Sequence, residues 1–503
     1  MMEKKRAETG KNILKNVLYG FSTWILPIGL GFFATPILVK SLGDEDYGIY
    51  ALVLGFIAYS FNFSIGRAIT KYISEYRSTG ENEKIRDVIS ATFFLNLTIG
   101  LAGVLVIFLS ARWFVVDVFR IEEVSRQKSI YSFYLASLII FLTMLSQVFN
   151  AVLQGIHRFD VYSKIFNFNT LALMIGNIWL ALRGHGLLSL LVWNLSVSLL
   201  TCLFYFFGAR RLLPEFGLRF SFPREALKKV LKFSSGVIGY QILANFLLLF
   251  ERGWITRKLG SGVLTHYVVP MMLSLYIHGF ISSLMIVIFP LASELNENRE
   301  RLLSLYLKAT KIVCLIVAFL GMTLIVQSRV FLTLWMGTDF AERSSEILIF
   351  HTVTFSLLAV LTVSWQMTEG LGFPEYNFKI FSVCLFLTVV FTLVLTAPYG
   401  GIGVAAARLI GFATIFFSIF YVEKWFFGKI QYRAWGRIIF ILGVATGFAA
   451  LIEIVIIRLG EGWPVFFGSV LAGGIVYILT AFLLGFVSKE ELALAKHIFK
   501  RQT

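Results

Sequence analysis

Continuous apolar runs recur from one end of the chain to the other, each near the ~20 residues that an α-helix needs to cross a ~30 Å hydrocarbon layer. Fourteen spans are expected, at 15–39, 46–73, 88–110, 129–155, 164–183, 187–209, 233–257, 264–290, 306–328, 345–369, 378–398, 402–426, 437–458 and 464–486. The runs do not alternate apolar with polar positions, which predicts helices and excludes a β-barrel. The fold class expected is therefore all-α, a polytopic membrane protein of about fourteen helices. Composition agrees: 57% of the 503 residues are hydrophobic and 15% charged, too little charge to clothe a soluble protein of this size. The first run follows a basic tail, 1–16. It is too long for a signal-peptide core and no Ala-x-Ala-like site follows, so it is expected to be retained. The longest loops, 111–128 and 208–232, leave no room for a soluble catalytic or ATP-binding domain.

Orientation follows from Lys and Arg. With the N-terminus cytoplasmic, 32 of the 45 Lys and Arg fall in cytoplasmic tails, loops and adjoining helix ends, and 13 on the other side. Both termini are expected inside. The formal charge of +16 then reflects topology and anionic headgroups. No soluble basic domain exists to carry nucleic acid, which is not an expected partner. Cys202, Cys314 and Cys384 lie in apolar runs without metal-ligand spacing. Buried thiols are expected, with no disulfide and no metal.

The chain repeats itself. Gln154-Gly155 and Lys164-Ile165-Phe166 recur 215 residues later as Glu369-Gly370 and Lys379-Ile380-Phe381. Leu42-Gly43 recurs as Leu259-Gly260 and Gly184-x-Gly186 as Gly401-x-Gly403, both at 217, and Ser74-Glu75 as Ser293-Glu294 at 219. Each copy holds six spans, an even number, so both enter the membrane in the same direction and are related by an axis along the membrane normal. The expected organisation is an N-terminal lobe (1–210), an interfacial linker helix (211–232, with its helical stretch at 221–232), a C-terminal lobe (233–427), two appended helices (437–486) and a cytoplasmic tail (487–503). Paired lobes leave a mid-bilayer cleft of the kind transporters load from alternate sides.

The segment Lys40-Ser41-Leu42-Gly43-Asp44-Glu45-Asp46-Tyr47-Gly48-Ile49-Tyr50-Ala51 resembles the first loop of polysaccharide flippases, as does Ser74-Glu75-Tyr76-Arg77 with Gly80. Phe250-Glu251-Arg252, followed by Leu259-Gly260 and Tyr267, resembles their seventh-span acidic–basic pair, although Asp is more usual there than Glu251. Gly400-Gly401-Ile402-Gly403-Val404-Ala405-Ala406 resembles the start of their twelfth span. Across nearly its whole length the chain resembles the multidrug/oligosaccharidyl-lipid/polysaccharide exporter superfamily, in its Wzx-type O-antigen flippase branch.

Charges inside a bilayer cost ~2.5–3.5 kcal/mol each, so those present are candidates for function. In span two Ser60, Ser64, Arg67, Lys71 and Ser74 form one helical stripe that should face a cleft or another helix. Lys71 also suits snorkelling to headgroups. In span seven Gln241, Asn245 and Arg252 share a face, with Glu251 next to Arg252. Arg252 suits a phosphate anchor and Glu251 a proton- or sodium-coupling carboxylate. A structural inter-helix ion pair fits them equally. Gln147, Asn150 and Gln154 on span four, and Asn167, Asn169 and Asn177 on span five, suit sugar recognition or helix bridging. Arg408 in span twelve suits the cleft or the interface. His278 and Glu453 rank lower, Glu453 because it lies outside the repeat. Pro27, Pro36, Pro270 and Pro290 mark kink sites. Asp44-Glu45-Asp46 reads as an N-terminal charge cap on span two.

The basic lean of Arg67, Arg252 and Arg408 against Glu251 favours an anionic cargo over the cationic cargo of a drug antiporter. The function expected is a flippase for polyprenyl-(pyro)phosphate-linked oligosaccharides at the bacterial inner membrane. It would work by alternating access in surface polysaccharide biosynthesis and require no cofactor. Its partners would be that substrate, membrane lipids, and a polysaccharide polymerase with other assembly proteins. Lipid II is the neighbouring cargo. A membrane glycosyltransferase or polymerase, the one enzymatic alternative, would need a long catalytic loop that the chain lacks.

Overall fold

The computed structural model describes Thr23 and residues 26–60, 65–218, 223–285, 288–295 and 297–486. The expected tails 1–16 and 487–503, Ser64, and Ser221 at the start of the expected interfacial helix lie outside the described residues. So does the side chain of Arg67. Among the described residues all regular structure is helical, and ten helical stretches are long and apolar enough to cross a membrane. Two compact units divide the chain, Met1–Thr265 and His266–Thr503.

The first unit contains α1 (Leu26–Leu42), α2 (Asp44–Tyr59), α3 (Ile65–Thr79), α4 (Asn82–Trp113, continued by a π-turn over Phe114–Val118), α5 (Glu123–Gly155), α6 (Phe159–Leu182), α7 (Leu187–Leu212) and α8 (Arg224–Leu259). Here α5 is the central helix, packed against α7, α4, α3 and α2. The segment read as an interfacial linker is no separate element. Pro223 caps α8, and the helix runs 36 residues without a break through the expected seventh span. It packs on α2, α3 and α4, so the unit boundary falls after it, whereas the sequence repeat divides the chain before it.

The second unit starts inside α9 (Ser261–Met285). It continues with α10 (Ile288–Glu294), α11 (Arg299–Val326), α12 (Ser328–Met336), α13 (Thr338–Gly370), α14 (Pro374–Ala413), α15 (Phe417–Phe420), α16 (Tyr432–Ile457) and α17 (Trp463–Leu483). The central helix here is α13, against α14, α11, α12 and α10. The expected spans eleven and twelve are joined within α14 at Gly400, whose φ of 54° and ψ of −134° break the helical path.

The internal repeat has a geometric basis. Gly43 joins α1 to α2 with φ 78° and ψ 164°; Gly260 joins α8 to α9 with φ 90° and ψ 163°. Their amides close equivalent turns, Gly43 N–H to Val39 O at 2.8 Å and Gly260 N–H to Thr256 O at 3.2 Å. A side chain is strained in that backbone region, which explains glycine in both copies. The end of α5 matches the end of α13. Arg158 N–H donates to Leu153 O (2.9 Å), and 215 residues later Phe373 N–H donates to Thr368 O (3.0 Å). His157 (φ 59°) stands where the other copy has Gly372 (φ 88°). A Cβ on Gly155 would meet Ile73 Cβ at 2.9 Å and Thr70 O at 3.2 Å. A Cβ on Gly370 would meet Ala292 Cβ at 2.8 Å and Phe289 O at 2.5 Å. Residues 70 and 73 map onto 289 and 292 by the same offset of 219 as Ser74 onto Ser293, so one helix–helix contact occurs once in each unit.

Two buried carboxylates fasten α16 and α17 to the second unit. Glu423, in the π-turn Tyr421–Phe426, accepts from the Tyr306 hydroxyl (3.0 Å), Trp435 Nε1 (2.7 Å) and the Gln431 amide (2.7 Å). Glu453 on α16 accepts from Thr323 Oγ1 and Gln327 Nε2, both at 2.8 Å.

Candidate substrate-binding site

Arg252 is held in a socket made by α2. Ala51, Gly55 and Tyr59 step by four along one face of that helix, and each contributes. The Ala51 carbonyl accepts a hydrogen bond from Nη1. The Tyr59 ring lies 5.5 Å from the guanidinium carbon, a cation–π distance. Gly55 leaves the room, because a Cβ there would sit 2.7 Å from Arg252 Cδ and 2.9 Å from Nη1. Arg252 is 8% exposed and Glu251 1%. A guanidinium is permanently charged and offers five donors, one of which the Ala51 carbonyl takes. The sequence marks Arg252 by its charge. It marks none of the socket, since a glycine and a backbone carbonyl in an apolar helix carry no pattern.

The other span-seven residues, Gln241 and Asn245, are half-buried on the same α8. Lys71 is exposed on α3, its ammonium 5.3 Å from the Tyr72 ring. Sequence reasoning missed the aromatic–basic cluster around it: Tyr72 stacks on Tyr76 (6.0 Å), and Lys229 Nζ donates to the Tyr76 hydroxyl at 3.4 Å. Ser74, the last residue of the expected stripe, bridges helices, donating to Gly155 O at 3.0 Å. Thr70 does the same toward Ala151 O at 3.3 Å.

Gln147 and Asn150 are half-buried on α5, and Asn150 Oδ1 accepts from Gln154 at 3.5 Å. Two asparagines of α6, Asn169 and Asn177, bond to neighbouring helices, Asn177 together with Asn194 of α7. Asn177 and Asn194 both donate to the buried Tyr50 hydroxyl at 3.1 Å, and Asn169 accepts from Thr201 at 2.9 Å.

In the second unit Arg408 is 2% exposed, with its guanidinium carbon 5.6 Å from the rings of both Phe355 and Phe412. His351, fully buried on α13 and edge-on to Tyr267 at 4.6 Å, lies within reach of the Arg408 charge. Sequence reasoning missed His351, a lone histidine in an apolar span. Its helix makes a polar seam with α9 through Ser344 to His266 (2.9 Å) and Thr352 to Ser274 (3.1 Å). His278 contacts Ser282 on its own helix at 3.3 Å. Among the described residues no group of His, Cys, Asp and Glu is arranged to hold a metal ion.

Residues 37–345, more than half of the chain, match the family described as "Polysaccharide biosynthesis protein". The chain belongs to that family. It is similar to a protein of Shigella flexneri described as "Putative O-antigen transporter", with 20% identity over 368 residues, 72% of this chain and 85% of that protein. Solved structures show the same fold. The lipid II flippase MurJ in an inward closed conformation aligns with a TM-score of 0.74 at 14% identity, covering 93% of this chain and 98% of that one. An inward-facing multidrug resistance transporter of the MATE family and MOP superfamily aligns at 0.62 with 17% identity, over 81% and 93%. A MOP superfamily transporter from Pyrococcus furiosus aligns at 0.53 with 18% identity, over 82% and 92%. The fold is that of multi-pass transporters.

Proposed function

We propose that the protein is a flippase that moves polyprenyl-(pyro)phosphate-linked oligosaccharide units across the bacterial inner membrane by alternating access, for surface polysaccharide assembly. The observation that carries this reading is Arg252, a buried guanidinium socketed against α2 in the expected seventh span of a polysaccharide biosynthesis family member. A phosphate cannot cross hydrocarbon unaided. Arg252 supplies a permanent, bidentate donor for it, while the prenyl chain stays in lipid. Arg408 is a second such cation, flanked by two phenyl rings. Arg67, Lys71, Gln241, Asn245, Gln147 and Asn150 complete the substrate-binding set. The matched glycine turns and α5/α13 contacts support two six-helix lobes, 1–210 and 233–427, with 437–486 appended. The distribution of Lys and Arg supports cytoplasmic termini. A polysaccharide polymerase is the natural recipient of the product.

Glu251, almost fully buried beside Arg252, is the proposed coupling carboxylate for protons or sodium. The Glu251→Gln variant is expected to fold, bind cargo and lose the dependence of transport on the ion gradient. Gradient dependence equal to wild type would remove Glu251 from coupling. The reading as a whole is tested in reconstituted vesicles carrying fluorescent prenyl-diphosphate oligosaccharides. Protein-dependent exposure of the glycan on the opposite leaflet is expected. Flipping of lipid II in preference to all other prenyl-linked glycans would transfer the assignment to that cargo, and no flipping of either would refute it.

A further inference from the structure

The appended helix pair carries a polar site outside the proposed substrate-binding set. Glu453 is 0% exposed, and its contacts reach two other helices and the junction between α11 and α12. Thr323 Oγ1 donates to Oε1 and Gln327 Nε2 to Oε2, both at 2.8 Å. Gln327 also bonds Ser469 on α17 at 3.1 Å, and Ser469 donates onward to Phe466 O at 2.7 Å. Gln327 and Ser469 are 1% and 0% exposed. Room for the carboxyl is reserved by Gly473, where a Cβ would lie 2.7 Å from Glu453 Cγ and Oε1.

All of these partners are neutral. Of the elements packed against the site, α11 carries Lys308 and Lys311 far along the helix toward its other end, with Tyr306 and Cys314. On α17 the titratable group is Tyr477, which donates to Leu315 O at 2.7 Å. Arg329 on α12 pairs with Glu342 at 3.1 Å. On α16 itself Arg433 and Arg437 lie at the opposite end. Arg458 is exposed five residues after Glu453, a rotation of about 140° around the axis. Among the described residues no Lys, Arg or His forms an ion pair with Glu453. An anion sealed among neutral groups within a membrane span is costly, and taking up a proton removes the cost.

We propose that Glu453 is a proton-binding site whose ionised and protonated forms are both held by the Gln327 amide. The network suits both states. The ionised carboxylate accepts from Thr323 and Gln327, as observed. When Oε2 is protonated, a half-turn of the Gln327 amide turns its carbonyl oxygen to accept that proton, while Ser469 remains bonded to the amide. Both carboxyl oxygens of Glu453 keep a partner in either state. The site lies four residues from the end of α16, about 6 Å of helix. On the proposed orientation this is the outer side, so a proton from outside passes about one helical turn to reach it. Gln327 itself stands at the junction of α11 and α12, where its backbone carbonyl accepts the Phe331 amide at 2.8 Å.

The test is infrared difference spectroscopy of the purified full-length protein in lipid, titrated through its folded pH range. A carboxylic-acid C=O band that titrates reversibly is expected in wild type and lost in Glu453→Gln, which mimics the protonated side chain and keeps the fold. The Thr323→Val variant removes a donor that favours the ionised form. It is expected to keep the band and move its midpoint upward by about one pH unit. Identical carboxylic-acid spectra in wild type and Glu453→Gln would overturn the proposal. So would a band that never titrates, or one abolished by sodium at fixed pH, which would make the occupant a metal ion. The readout needs no cargo, so it stands apart from the flippase assignment.

Discussion

Alanine at position 252 is expected to abolish glycan translocation while leaving the chain inserted and folded. Truncating a buried, hydrogen-bonded charge costs about 2–5 kcal/mol at the step it serves. A loss of about 3 kcal/mol lowers the flipping rate roughly 100-fold. Lysine keeps the charge but not the planar fork, so Arg252→Lys is expected to retain partial activity. The Gly55→Val variant separates the socket from the arginine. Its side chain occupies the space within 3 Å of Arg252 Cδ and Nη1, expelling an intact guanidinium, and is expected to reproduce the alanine phenotype. Initial rates in vesicles, normalised to reconstituted protein, check all three. Wild-type rates in Arg252→Ala would end the role of phosphate anchor.

The second large effect is on stability. Leucine at Gly155 or at Gly370 forces α5 from α3, or α13 from α10, at contacts that leave no room for a side chain. Overpacking of this kind costs typically 1–3 kcal/mol, and more where the obstacle is backbone. A Cβ on Gly370 would lie 2.5 Å from the Phe289 carbonyl oxygen, so this position is expected to suffer more than Gly155, whose nearest obstacle is the Ile73 side chain. Gly447→Ala is the control, since nothing lies within 4 Å of a Cβ there. Thermal unfolding in detergent should rank the variants as Gly447→Ala, Gly155→Leu, Gly370→Leu in order of increasing loss. Equal stability of all three would show that the repeated contact carries no weight.

Ten long helical stretches among the described residues were legible, against fourteen spans expected, because a membrane span announces itself by apolar length alone. The repeat was legible because glycine at Gly43 and Gly260, and again at Gly155 and Gly370, answers a backbone or packing demand that no other residue meets. The unbroken course of α8 was not. Lys228, Lys229 and Lys232 read as interfacial, and a helix passing from interface into membrane leaves no mark at the crossing. Within the candidate site Arg252 stood out by charge, whereas Gly55 is one small residue in an apolar run. The asparagines left two readings open. An amide is equally suited to a sugar hydroxyl or to Tyr50, and only the fold shows which partner Asn177 has. Glu453 was discounted for lying outside the repeat, but its donors Thr323 and Gln327 precede it by 130 and 126 residues, beyond any local motif.

Glu423 imposes an order on biogenesis. It leaves the ribosome before Gln431 and Trp435, two of the three groups that satisfy its carboxylate. Until both have been synthesised, the only one of its three donors already made is the Tyr306 hydroxyl. A nascent chain halted just short of Gln431 would therefore present the translocon with an under-bonded acid, and the quality-control proteases of the membrane with a recognisable defect. Synthesis of the first turn of α16 is what completes the bonding of the preceding carboxylate.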